Sequence, residues 1–110
     1  MRGTFVARDH TTISEARFDS LSTRAMDGEA FSHGGNSSIY KALWNDHLVA
    51  LKHYGAPPDT HSRAMREWNA LSYLWDSDCR VAPEPIAAKL GQGLVLMEWV
   101  HQESDASPAS

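Results

Sequence analysis

The sequence predicts an α+β domain, in which an antiparallel sheet of about five strands carries one packed helix. Residues 38–44 and 47–54 read as two strands joined by the turn dipeptide Asn45-Asp46. A helical pattern follows and continues to about Trp75, and two short apolar runs lie beyond it. The order strand, strand, helix, strand, strand is typical of an antiparallel sheet covered by a helix.

The segment before Gly28 gives a looser signal. Thr12 and Glu15 have the spacing of a capping box. A helical stripe overlaps them, formed by Ile13, Ala16, Phe18, Leu21 and Ala25. We therefore treat residues 1–29 as an N-terminal extension that contains a candidate helix.

The main helix and the second hairpin have recognisable boundaries. Residues 55–58 (Gly-Ala-Pro-Pro) interrupt the second strand, and Asp59 or Thr60 can cap the helix that follows. Strands over residues 86–90 and 94–100 are expected to form the second hairpin. The polar tail, residues 102–110, has the composition of a disordered segment.

Composition excludes several classes of function. The 110 residues allow one domain, and a net charge of −4 argues against a nucleic-acid partner. A single cysteine, Cys79, excludes an internal disulfide and fits a reducing compartment. Apolar runs do not exceed four residues, whereas a membrane span needs about 20. We therefore expect a cytoplasmic protein without a membrane partner.

Histidine spacing offers no metal site. None of the six histidines forms a pair with the spacing of zinc ligands, so no metal ligand is assigned. His33 borders a glycine-containing loop, where an exposed turn histidine is the simpler interpretation. The acidic residues before Cys79 disfavour a thiolate, which argues against a nucleophile.

Lys52 and Glu67 carry the strongest chemical signal. Lys52 closes the apolar strand LVALK, and Glu67 lies on the apolar face of the following helix. A carboxylate on a buried face costs on the order of several kcal/mol unless a cation or donors satisfy it. We therefore predict an ion pair between Lys52 and Glu67. The alternative is that both side chains lie at the margin of the core with their charges in water.

The loop HGGNSS, residues 33–38, is small enough for backbone N–H groups to approach phosphate oxygens. Gly34 and Gly35 lack a Cβ, while Asn36, Ser37 and Ser38 supply side-chain donors. An ordinary turn would look the same. The loop is not a Walker loop, because no GKS or GKT follows and a strand comes next.

The run LVLMEWV, residues 94–100, fits a strand that becomes a connector. In a kinase small lobe, such a segment lines the adenine pocket. Met97 would lie at its back, and the backbones of Glu98 and Val100 would bind the adenine edge. A plain edge strand is the alternative. Loop, strand lysine, helix glutamate and second strand occur in the order in which a kinase small lobe holds ATP.

Five segments in this order resemble the aminoglycoside phosphotransferase family of small-molecule kinases. They are GGNSSIYKA, LVALKHY, REWNALSYL, APEPIAA and LVLMEWV, between Phe31 and Val100. The resemblance implies a protein-kinase-like N-terminal lobe over residues 30–101. In that lobe residues 34–38 cover the phosphates, Lys52 contacts them, Glu67 orients Lys52, and residues 97–100 form the hinge. The family uses ATP and Mg²⁺ to phosphorylate hydroxyls of aminoglycosides, choline or homoserine.

The sequence departs from the family where catalysis is expected. Nothing matches the family's catalytic loop or its metal-binding aspartate, since Gln102-Glu103 follow His101 and Asp105 comes too early. We therefore assign no catalytic residue and expect this chain to lack the C-terminal lobe. Binding of Mg²⁺ and of the small-molecule hydroxyl acceptor is expected only in a protein that has that lobe. The chain alone should be inactive. The alternatives are a non-catalytic nucleotide-binding or protein-interaction module, self-associating through the exposed lobe floor, or a gene remnant.

Overall fold

The computed structural model describes residues 5–8, 13–33, 37–55, 60–78 and 82–99. None of the helices in these ranges combines the length and the apolar character that a membrane span requires. The elements are β1 (Phe5–Ala7), α1 (Glu15–Met26), β2 (Ser32–His33), β3 (Ser37–Trp44), β4 (His47–Tyr54), α2 (Thr60–Asp76), β5 (Pro85–Lys89) and β6 (Leu94–Glu98). A short 3-10 helix, Leu90–Gln92, joins β5 to β6.

The strands form one antiparallel sheet in the order β1-β5-β6-β4-β3-β2. The predicted α+β class and antiparallel sheet are confirmed, but the described part of the chain has six strands rather than about five. The predicted strands over residues 38–54 and 86–100 correspond to β3 to β6. The unpredicted strands, β1 and β2, are three and two residues long, too short to show an alternating pattern.

The β3–β4 hairpin is built as predicted. Asn45 and Asp46 both have positive φ, 53° and 66°, which is the geometry of a tight type I′ turn. Trp44 therefore lies directly opposite His47, and the register continues along both strands to Ser37 and Tyr54. This hairpin fixes the position of Lys52 in the sheet.

Side chains of the sheet alternate between two hydrophobic clusters, one on each face. In β4, Val49 and Leu51 belong to the first cluster, and Ala50 belongs to the second. Phe18 of α1 joins the first cluster and Ala64 of α2 joins the second, so the two helices cover opposite faces. The prediction of one packed helix is corrected: the N-terminal candidate helix is α1, and it packs on the sheet as well.

The α1 helix is held by its cap, its core face and a buried lysine. Ser14 caps it, since its hydroxyl oxygen accepts a hydrogen bond from the Arg17 backbone at 3.1 Å. The predicted cap, Thr12, lies outside the described residues. Lys89 of β5 lies 3.0 Å from Glu15 Oε2 and 2.7 Å from Asp19 Oδ1, so two carboxylates of α1 bind one ammonium group.

Candidate functional site

Lys52 and Glu67 meet between the sheet and α2. Lys52 lies in β4, opposite Ile39 of β3 on one side and Val95 of β6 on the other. Glu67 lies in α2 between Ala64 and Leu71, two positions that belong to the cluster on the same face. The Lys52 Nζ atom is 3.0 Å from Glu67 Oε1, which confirms the predicted ion pair.

Tyr54 is a third member of this cluster, and the sequence analysis missed it. Its hydroxyl donates a hydrogen bond to the same Glu67 Oε1 atom that accepts from Lys52. Lys52 Nζ also lies 5.2 Å from the centroid of the Tyr54 ring, within the range of a cation–π contact. The signal was available, because residues two apart in a strand point to the same face.

The protonation states of the cluster follow from its partial burial. Side chains of Lys52 and Glu67 are 23% and 20% exposed. Burial acts to lower the pKa of Lys52, but the hydrogen bond and charge of Glu67 outweigh it and raise that pKa above its ordinary value. Burial and the hydrogen bond to Glu67 raise the pKa of Tyr54, while Lys52 opposes this effect. At neutral pH the cluster therefore holds an ammonium group and a neutral phenol.

Two residues of the predicted phosphate loop belong to a strand. Ser37 and Ser38 are the first residues of β3, opposite Tyr54 and His53 of β4, so they belong to a strand. Backbone pairing with β4 extends this far because β4 itself continues to Tyr54. Gly34, Gly35 and Asn36 lie outside the described residues. His33 of β2 lies opposite Ser38 of β3, and Ser38 lies opposite His53 of β4, the neighbour of Lys52. The end of β2 and the start of β3 are therefore at the end of β4 that carries Lys52.

The predicted hinge divides into a buried and an exposed part. Met97 is buried and lies opposite Ala50 of β4 in the cluster on the α2 face. Glu98 is exposed, and its backbone N–H is already bound to the Glu84 carbonyl oxygen at 2.9 Å. An adenine edge therefore cannot use the Glu98 N–H group without breaking that bond. Val100 lies outside the described residues.

An aromatic pair beside this strand was not predicted. Phe31 and Trp99 pack edge to face, with ring centroids 4.8 Å apart. The Lys41 ammonium group lies 5.1 Å from the Phe31 centroid and 4.8 Å from the Trp99 centroid. Trp99 packs against the cluster that contains Met97, and Phe31 is 56% exposed. The pair offers an accessible aromatic surface beside the predicted hinge.

The chain matches no protein-family model and no curated protein. Within the described ranges, no group of three or more His, Cys, Asp or Glu side chains comes together to hold a metal ion. The site is therefore characterised by its own geometry. It combines the Lys52 ammonium group, held by Glu67, with the aromatic pair of Phe31 and Trp99. The end of β2 and the start of β3 lie at the same end of the sheet as Lys52.

Proposed function

We propose that this chain is the ATP-binding N-terminal lobe of a small-molecule kinase that resembles the aminoglycoside phosphotransferases. The observation that carries the proposal is the contact between Lys52 of the central strand β4 and Glu67 of α2. In kinases, a strand lysine held by a helix glutamate binds the α- and β-phosphates of ATP. The protein-kinase-like character of the sheet is part of this proposal.

The chemistry of Lys52 suits this role. An ammonium group has three donors, and the Glu67 carboxylate oxygen accepts one of them at 3.0 Å. The remaining donors of a partly exposed side chain can bind phosphate oxygens. Because Tyr54 also donates to Glu67, the carboxylate is held from two directions and limits the positions that Lys52 can adopt.

The other parts of the nucleotide would be met by the neighbouring elements. The exposed Phe31 ring and Trp99 lie beside Met97, where a planar base could pack. Residues 34–38 connect β2 to β3 and begin β3, and they would approach the phosphates. The role of residues 34–38 follows the resemblance, whereas the packing of a base on Phe31 and Trp99 is inferred from the position of the two rings beside Met97.

Phosphoryl transfer requires groups that we do not assign to this chain. The γ-phosphoryl group would come from ATP, and the acceptor would be the hydroxyl group of a small molecule. The resemblance assigns the catalytic aspartate and the Mg²⁺ ligands to a C-terminal lobe, so the residues named here bind and orient the nucleotide and do not catalyse transfer. A cytoplasmic location belongs to the proposal, because ATP is available there.

Protection against thermal unfolding tests the proposal. A ligand that binds the folded state at 100 times its Kd stabilises it by about 2.7 kcal/mol. We expect MgATP to raise the unfolding temperature of the chain, and Lys52→Met to remove most of this rise. Arg17→Met is the matched control, because Arg17 is an exposed cation on α1, which covers the opposite face of the sheet. Equal protection of both variants would contradict the proposal.

A second candidate function is a protein-interaction module. Leu43 and Leu48 lie directly opposite each other in the β3–β4 hairpin and are 62% and 44% exposed. Two exposed leucines side by side favour contact with another apolar surface, such as a second copy of the chain. Analytical ultracentrifugation of the wild-type chain and of Leu43→Lys measures the oligomeric state. A wild-type dimer that is absent in the variant would support self-association, and a monomeric wild type at all concentrations would contradict it. A gene remnant would show neither nucleotide protection nor self-association.

A further inference from the structure

A cavity of about 410 Å³ lies beside the Lys52–Glu67 pair, and Lys52 does not line it. Its volume falls within the roughly 300–1,000 Å³ of small-molecule sites. The lining residues come from β4 and from one stripe of α2: Tyr54, Arg63, Arg66, Glu67, Ala70 and Leu71. The cavity is therefore adjacent to the proposed nucleotide site and shares Tyr54 and Glu67 with it, but its cations are Arg63 and Arg66 rather than Lys52.

Neither arginine of this cavity is paired with a carboxylate of the described residues. Within the described ranges, no ion pair or hydrogen bond involves the guanidinium group of Arg63 or Arg66. Three cations elsewhere in these ranges, Arg8, Lys52 and Lys89, each bind a carboxylate and are not available in this way. Two neighbouring guanidinium groups on one wall of the cavity are therefore available to a ligand, although the net charge of the chain is −4.

The carboxylate in the lining does not cancel this positive charge. Glu67 is paired with Lys52 and accepts a second hydrogen bond from Tyr54. Arg63 and Arg66 are three residues apart, so they lie on neighbouring turns of the same helix face and can reach one ligand. The helix begins at Thr60, which places Arg63 close to the positive end of the helix dipole.

We propose that this cavity binds the phosphate group of a small organic phosphate through Arg63 and Arg66. Two guanidinium forks offer paired donors that match a dianionic phosphate with three terminal oxygens, whereas a carboxylate has two oxygens and engages a single fork fully. Ala70 and Leu71 supply apolar surface for the organic part of the ligand. The site is independent of nucleotide binding at Lys52, so failure of one proposal leaves the other standing.

The test is an NMR titration of the isotopically labelled full chain with phenyl phosphate at fixed ionic strength. We expect saturable shifts confined to the amides of residues 63–71 and Tyr54. Arg63→Ala/Arg66→Ala should weaken binding at least about tenfold, which corresponds to about 1.4 kcal/mol. The control Arg17→Ala/Arg24→Ala makes the same change in net charge on α1 and should bind within about twofold of wild type. Shifts that do not saturate, or equal loss in the control, would overturn the proposal.

Three further observations test the position of the site and the chemistry of its ligand. Phenyl phosphate shifts centred on Lys52 rather than on residues 63–71 would mean that the anion binds at Lys52 and would overturn the proposal. Benzoate should bind more weakly than phenyl phosphate, and equal affinity would overturn the choice of phosphate. Arg63→Lys/Arg66→Lys keeps the charge but removes the forks, so wild-type affinity in that variant would overturn the proposed geometry.

Discussion

Lys52 Nζ lies 3.0 Å from Glu67 Oε1 although the two residues are 15 positions apart in the sequence. The contact joins the central strand β4 to α2, and both side chains are largely withdrawn from water. Withdrawing two charges from water carries a desolvation cost that their attraction often fails to exceed. A contribution to stability therefore does not by itself explain the pair, and our proposal is that the ammonium group is positioned to bind a ligand.

Replacement of the whole pair by apolar residues separates these two explanations. Lys52→Met/Glu67→Leu removes both charges together, and the leucine fits a helix face already occupied by Leu71. We expect the free energy of unfolding in urea to change by no more than about 1 kcal/mol, because an apolar replacement of a buried ion pair is often neutral. MgATP protection should be lost. Destabilisation by more than about 3 kcal/mol would instead identify the pair as part of an essential structural network. Arg17→Met/Glu29→Leu, at two exposed positions, is the control.

Removal of the Tyr54 hydroxyl tests whether it holds the Glu67 carboxylate. Tyr54→Phe keeps the ring beside Lys52 and deletes one hydrogen bond to Glu67. We expect a loss of about 0.5–1.5 kcal/mol in unfolding free energy, typical of one hydrogen bond. Nucleotide affinity should also fall, because Lys52 loses a fixed partner. Tyr73→Phe is the matched control, since Tyr73 is 70% exposed. Identical behaviour of the two variants would show that the Tyr54 hydroxyl is dispensable.

The cluster also predicts a stability change at alkaline pH. The folded-state pKa values of Lys52 and Tyr54 are both raised, by the causes given above. Groups with a raised folded pKa stabilise the protein below their unfolded pKa, and this contribution disappears as the pH rises through the folded value. Unfolding free energy should therefore fall above about pH 10, where lysine and tyrosine ordinarily titrate.

The variant Lys52→Met/Tyr54→Phe isolates that contribution. Lys89 also has a raised pKa, through its hydrogen bonds to Asp19 and Glu15, so the variant should retain part of the alkaline decrease. Urea unfolding at a series of pH values should give a shallower decrease for the variant than for wild type. Parallel curves would mean that Lys52 and Tyr54 titrate alike in the folded and unfolded states.

Lys89 allows a test of the packing between α1 and the sheet. Its side chain is 8% exposed and both of its carboxylate partners are on α1. Glu15→Gln/Asp19→Asn leaves a buried cation unpaired and should cost about 3 kcal/mol, whereas Lys89→Met should cost much less because the freed carboxylates remain half exposed. Glu29→Gln/Asp46→Asn is a control with the same charge change. Equal costs for the two α1–β5 changes would contradict this account of the contact.

The sequence predicted the parts of the fold that leave a local signal. The Asn45-Asp46 turn fixed the β3–β4 register, and the position of Glu67 on an apolar helix face predicted its contact with Lys52. The Tyr54 hydroxyl was missed because the alternation of a strand gives the face of a side chain but not the atom that it reaches.

The elements that were missed depend on distant pairing. Strand β1 exists because Phe5–Ala7 pairs with β5, more than seventy residues later in the sequence, and three residues carry no periodic pattern. The packing of α1 on the sheet depends on the same region, since Lys89 binds Glu15 and Asp19. Neither contact has a counterpart within the N-terminal segment itself, so the sequence could indicate a helix there but not where it docks.

The most direct test of nucleotide binding is an amide NMR titration of the full chain with MgATP. We expect saturable shifts at Lys52, Met97 and Trp99, on the face of the sheet that carries α2, and little change at Phe18 and Leu21 of α1. Lys52→Met should shift the midpoint of the titration to higher MgATP concentration. An unchanged spectrum at high MgATP, or shifts centred on α1, would contradict the proposal that this lobe binds ATP.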